Sequence, residues 1–386
     1  MRYLIRNTLF AAAASAVMAA CSPEPAAQSA PEPQYIADGN PPLLSDWGQV
    51  GISHGSLVLG EHVVAYDMNT PLFTDYAHKL RTIWMPPGSQ AVYREGDVLD
   101  FPVGTVITKT FYYPRAGTDA DGRVARTENA AVDFAGGALD MDAVQLVETR
   151  ILVHRDTGWV AIPYRWNDAQ TEARLHRTGA IIPMTLVSDD GGEVDFAYVM
   201  PDTNQCASCH APDSNTRLIS PIGPKPRHIN RDFAYADGTQ NQLARLVEAG
   251  FLTGAPDTFL DAPRNAAWGD ETASVEDRAR SWLDSNCSHC HSPVGPADTS
   301  GLFLEPDTPD GPQLGFCKLP IAAGSGTGNR LWDIVPGEPD ASILMYRIDS
   351  VEPDVMMPEL GRSTIHREAV ELVREWIAGL EGDCTR

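Results

Sequence analysis

The chain has 386 residues, room for two or three domains, and a formal net charge of −23. Nucleic-acid binding rests on Lys and Arg neutralising phosphates, so this acidic balance argues against it and favours solubility or a basic-faced partner. No stretch beyond the first 20 residues is long and apolar enough to span a bilayer.

Residues 1–20 have the form of an export signal. Arg2 and Arg6 make a charged end, Leu9–Val17 is a short apolar run, and Ala19 and Ala20 precede a cut. Met18-Ala19-Ala20-Cys21 resembles a bacterial lipobox, which implies a lipid on Cys21. Ser22 is not the Asp that retains such proteins at the inner membrane, so the expected location is the periplasmic side, anchored by lipid alone to the outer membrane. Residues 21–42 are rich in Pro, Ala and polar residues and read as a tether that cannot fold alone.

Residues 43–200 read as a β-rich, sandwich-like domain. "TVITKTFYY" (105–113) and "VETRILVH" (147–154) are β-branched and aromatic runs. Asp121-Gly122, Asp156-Thr157-Gly158 and Asp189-Asp190-Gly191-Gly192 supply turns, and "TLVSDDGGEVDFAYV" reads as a hairpin. After Pro201 the texture changes to loops and helices, so the fold class expected is α+β. Leu243, Leu246 and Val247 have helical spacing, with Gly250 as a stop. Ser274 and Asp277 form a capping-box pattern before a helix over 274–286. Ile365, Ala369, Leu372, Val373, Trp376 and Ile377 make one apolar stripe of a terminal helix.

The chemistry lies in two CxxCH motifs, Cys206-Ala207-Ser208-Cys209-His210 and Cys287-Ser288-His289-Cys290-His291. In such a motif two thiols add to the vinyl groups of a haem and the adjacent histidine ligates the iron on the proximal side. Structural zinc pairs two CxxC-like halves on one ion, whereas here each half carries its own histidine. Two haem c groups are therefore expected, one on Cys206, Cys209 and His210 and one on Cys287, Cys290 and His291. His289 reads as a solvated spacer. Of the remaining cysteines, Cys317 and Cys384 pair most economically as a disulfide in an oxidising compartment. No P-loop, HExxH or Ser/His/Asp pattern marks a separate catalytic centre, and "GSGTGN" (324–329) reads as a surface loop.

The segment 269–386 resembles a class I cytochrome c: a helix, the haem motif, "VMMPELGR" (355–362), then a terminal helix. The resemblance implies that Met357, just before Pro358, is the distal ligand of the second haem, with Met356 as runner-up. A neutral, soft thioether favours Fe(II) and leaves no open position. More widely, "YDMNTPLFTDYAHKLRTIWMPPG" (66–88), "FPVGTVITKTFYYP" (101–114), "ETRILVHRDTGWVAIPYRWN" (148–167) and "GPKPRHINRDF" (223–233) resemble a family of exported di-haem c-type cytochromes of largely unassigned role. That likeness implies a β-rich leader domain, a first haem c segment over 201–268 and redox protein partners.

The distal side of the first haem stays open. Between Ala211 and Asn286 there is no methionine, and the one histidine is His228; Met200, Met184 and His176 lie upstream. The leading expectation is an electron carrier rather than an enzyme. The alternatives are a peroxidase-like oxidoreductase with an open first haem, and a partner- or glycan-binding module with accessory haems.

Overall fold

The computed structural model describes residues 30–117, 122–128, 133–134, 137–321 and 323–385. The signal segment and Cys21 lie outside the described residues. The chain is β-rich, with several sheets.

The largest sheet is an antiparallel meander of six strands. Its spatial order is Ala173–Leu175, Gly158–Trp166, Val144–Arg155, Val106–Pro114, His78–Trp84 and Val64–Tyr66. Val, Ile, Thr and aromatic residues dominate its central strands, where branched side chains pack on a pleated surface. Gly158, at φ +106°, makes the tight turn between the two longest neighbours. One face packs a core that includes Trp47, Leu57, Val106, Tyr112, Ile151 and Tyr164. Covering that face is a small sheet of Val50–Ser53, Ser56–Leu59 and Ala138–Asp140.

The opposite face meets two apolar clusters. Phe111, Tyr113, Tyr198 and Met200 belong to one, built with the hairpin of Ala180–Val187 and Glu193–Met200. The other joins Ile83, Met85 and Ile107 to Ile229, Leu243, Leu246 and Leu252, so residues 201–268 share a core with the leader strands. The pairing of Leu252–Thr253 with Ala91–Val92 adds to that junction. Within 201–268 the helices are short, Cys206–His210, Pro226–Ile229 and Gln242–Glu248, and a two-stranded piece, Asp232–Tyr235 with Gly238–Asn241, lies between the last two.

The C-terminal segment holds the helices Val275–Leu283, Ile343–Ile348 and Arg367–Gly379 around Trp282, Leu283, Val373, Trp376 and Ile377. Ser274 caps the first of these by accepting from the Asp277 amide at 3.0 Å. A disulfide joins Cys317 to Cys384 across 67 residues. Among the described residues no helix is long and apolar enough to cross a membrane.

Residues 67–76 clamp the leader domain onto the rest. Asp75, 1 % exposed, accepts from the backbone amides of Ser363 and Thr364 at 2.8 and 2.7 Å. The Phe73 amide donates to Asn286 Oδ1 at 2.8 Å, immediately before the second motif. Asn69 reaches the Asn265 carbonyl at 2.7 Å. The described half of the expected tether, residues 30–42, lies along the leader domain. The Glu61 amide donates to the Pro31 carbonyl, the Tyr164 hydroxyl donates to the Pro41 carbonyl, and Tyr35 and Ile36 pack on the core.

Candidate functional site

The two CxxCH motifs are neighbours in space. Cys290 Sγ lies 3.9 Å from the Ser208 carbonyl oxygen. The loops that follow them are joined as well. The Ser214 amide donates to the Val294 carbonyl at 2.8 Å, and Ser214 Oγ donates to Asp298 at 3.2 Å. The four motif cysteines carry no disulfide. Burial raises all four thiols, Cys287 and Cys290 to about 12, so they are held as neutral S–H groups.

Each motif histidine is oriented in the same way. His210 Nδ1 donates to the Ser220 carbonyl at 3.1 Å, and His291 Nδ1 to the Leu302 carbonyl at 3.3 Å. A ring whose Nδ1–H is committed to a carbonyl presents the lone pair of Nε2 for ligation. Burial pushes the two imidazoles down, His210 to about 3 and His291 to about 4, so both rings are neutral.

Three adjoining cavities open beside these groups. The first, about 100 Å³, is lined by Cys206, Cys209, His210, Lys109, Arg150 and His289, among others. The second, about 720 Å³, shares His210, Lys109, Arg150 and His289 and extends to Arg81 and His228. The third, about 430 Å³, is lined by Cys287, Cys290, His291, Met357 and Leu344. Met357 therefore shares a cavity with His291, whereas Met356 lines none of the three. The Met357 loop is fixed by Arg362, 6 % exposed, which donates to the Met357 and Ser350 carbonyls at 2.8 Å each. The Met357 amide in turn donates to the Arg347 carbonyl at 3.0 Å.

A buried ionic network braces the second motif. Asp284, 2 % exposed, accepts from Arg227 Nε and Nη2 at 2.8 and 2.9 Å. His228 Nε2 lies 2.9 Å away, and Asn265 and Ser288 donate at 2.8 and 2.9 Å. Burial alone would raise this carboxyl, but the bonds from Arg227 and His228 win and hold it well below the ordinary carboxylate range.

This network changes the reading of the first site. His228 lines the second cavity, but its Nε2 is committed to Asp284. Met200 and Met184 are buried in the core against Tyr198, and His176 is bonded to the Gly179 carbonyl at 2.9 Å; none of the three lines a cavity at the motifs. His289 is not a solvated spacer. It is 9 % exposed, lines all three cavities, and its buried Nδ1 has no hydrogen-bond partner among the described residues. Sequence spacing gave no signal for this, because the X positions of a CxxCH turn point wherever the neighbouring chain leaves room.

Sequence reading also missed the cationic wall of the second cavity, part of which the first cavity shares. Arg81, Lys109 and Arg150 stand at matched positions on three adjacent strands. Among the described residues no group of three or more His, Cys, Asp or Glu side chains is gathered to hold a metal ion on its own. No family model, curated protein or solved structure matches this chain.

Proposed function

We propose that the chain is an exported di-haem c-type cytochrome that carries electrons between protein partners on the periplasmic side of the membrane. The observation that carries the reading is the joint arrangement of the motifs. Two CxxCH turns lie in contact, each with its histidine Nδ1 bonded to a carbonyl and no hydrogen bond at its Nε2 among the described residues. The residues fit covalently attached haem. Neutral thiols of Cys209, Cys287 and Cys290 border a cavity of about 430 Å³, and the Nδ1 of the buried His289 beside them has no partner among the described residues.

In this reading Cys206, Cys209 and His210 hold the first haem, and Cys287, Cys290 and His291 hold the second. Met357, placed by Arg362, closes the second site. His289 closes the first, since among the described residues it is the histidine lining that cavity with no hydrogen bond. When bound, each haem supplies a one-electron couple. The residues of the chain would position His210, His291, Met357 and His289 toward it, exclude water and keep the two CxxCH turns together. The C-terminal segment then serves as the class I cytochrome c-like unit, and the leader domain covers the first haem. The lipid on Cys21 holds the assembly at the outer membrane, and redox partner proteins exchange electrons with it.

Carbon monoxide added to the dithionite-reduced protein tests the carrier reading. Two closed irons bind none, and His289→Ala opens one site to stoichiometric binding. Rapid binding at one haem of the unaltered protein would reject the carrier and favour a haem-dependent oxidoreductase with an open first iron.

A further inference from the structure

The leader sheet places four cations on one face. Arg81, Lys109 and Arg150 occupy one cross-strand row, Arg81 pairing with Lys109 and Lys109 with Arg150 in register. Lys79 stands two residues before Arg81, on the same side. Lys79, Lys109 and Arg150 surround the ring of Phe111 at 5.8, 5.1 and 4.4 Å from its centroid.

Three of these cations have partners. Arg81 is bonded to Asp67 at 2.7 Å, Arg150 to Glu148 through Nε at 2.9 Å, and Lys79 Nζ to the Ala77 carbonyl at 2.7 Å. Lys109 has none: among the described residues its Nζ makes no hydrogen bond and no ion pair, and it stands over the ring of Phe111. Its nearest charged neighbours are like-charged, and burial together with Arg81, Arg150 and Lys79 pushes its ammonium well below the ordinary lysine range. An ammonium so placed is costly unless an anion joins it.

Its surroundings lie beside the first CxxCH motif. Lys109 and Arg150 line the cavity that carries Cys206, Cys209 and His210, and among the described residues no Asp or Glu lines that cavity. The adjoining cavity repeats Lys109, Arg150 and His210. A haem presents two propionate carboxylates at the edge opposite its vinyl groups, and the protein that binds it must desolvate or pair them.

We propose that Lys109, with Arg150 beside it, is the seat of a propionate carboxylate of the first haem, so that the leader β-domain is half of that haem's binding site. This rests on the reading that the first CxxCH carries a haem. It assigns the leader domain a task that a docking or glycan-binding module does not need. A positive charge at the propionate disfavours the more positive ferric state, so it raises the potential of that haem.

The test is a potentiometric titration of Lys109→Met, Lys109→Gln and Lys109→Arg, with intact mass measured first. A mass of the unaltered protein without two haems would defeat the underlying reading and leave the titration without meaning. With both haems present, the inference expects Lys109→Met and Lys109→Gln to keep them, because thioether bonds hold them. It also expects one of the two potentials to fall, with at least a threefold lower ferrous-to-ferric ratio at the original midpoint, while Lys109→Arg stays near the original value. Unchanged potentials in both charge-deleting variants would overturn the inference. So would carbon monoxide binding gained in Lys109→Met, which would make the amine an iron ligand. A shift of the unaltered protein by added acetate, as large as the substitution produces, would place a free carboxylate on Lys109 and overturn it as well.

Discussion

Cys290 Sγ and the Ser208 carbonyl oxygen are 3.9 Å apart, so the second CxxCH turn rests on the first. The contact joins residues that are far apart in sequence, and the Ser214–Val294 and Ser214–Asp298 bonds repeat it one turn later. Haems held by these cysteines as proposed would lie close to each other. Electron exchange between them is therefore expected to be intramolecular. After rapid partial reduction, the rate of redistribution between the two haems is expected to be independent of protein concentration. A rate proportional to concentration would mean that the two sites communicate only through collisions.

Met357 shares a cavity with His291, and its loop is held by the Arg362 guanidinium. Met357→Ala is expected to abolish the weak absorption at the red end of the spectrum that marks ferric iron bonded to sulfur, and to lower the potential of one haem. Met356→Ala is expected to leave both unchanged. The opposite pattern would shift the ligand by one residue.

Asp284 ties Arg227, His228, Asn265 and Ser288 together beneath the second motif. Asp284→Ala leaves a buried guanidinium unpaired and is expected to cost about 3–5 kcal/mol in urea unfolding of the haem-loaded protein. The pH dependence follows from the depressed carboxyl. Its contribution is complete above the unfolded carboxylate value of about 4 and is lost as pH falls from there through the lower folded value. The variant should lack that part of the acid sensitivity. A loss below about 1 kcal/mol, the size of an ordinary surface change, would contradict this account of the network.

The strands were legible where apolar content and turns agree, as in 106–114, 144–155 and the 180–200 hairpin. The two CxxCH motifs could be located from contiguous sequence, but not their contact with each other. What was not legible depends on contacts between distant segments. His289 looked solvated because its burial comes from the walls of three cavities rather than from its neighbours in sequence. His228 looked available until Asp284 was seen beside it. Lys109 sits in a β-branched and aromatic run that sequence reading took only as a strand. Only the packing of residues 201–222 against that sheet face turns it into the wall of a site. The tether pattern over 21–42 has little apolar content, yet Tyr35 and Ile36 fix residues 30–42 to a core built elsewhere in the chain.

Cys21→Ala is expected to move the protein from the membrane fraction to the soluble periplasm. Stable anchoring takes more than one acyl chain, which lipidation of an N-terminal cysteine supplies. Membrane association that survives the substitution would contradict the lipid anchor.

The central claim is covalent attachment of two haems, and the intact mass of the protein, produced in a host with c-type maturation machinery and then denatured, tests it most directly. The account predicts the mass of the processed chain plus two haems. It also predicts the loss of one haem in Cys206→Ala/Cys209→Ala and of the other in Cys287→Ala/Cys290→Ala. A denatured chain at its bare mass, with no haem absorbance remaining, would contradict it.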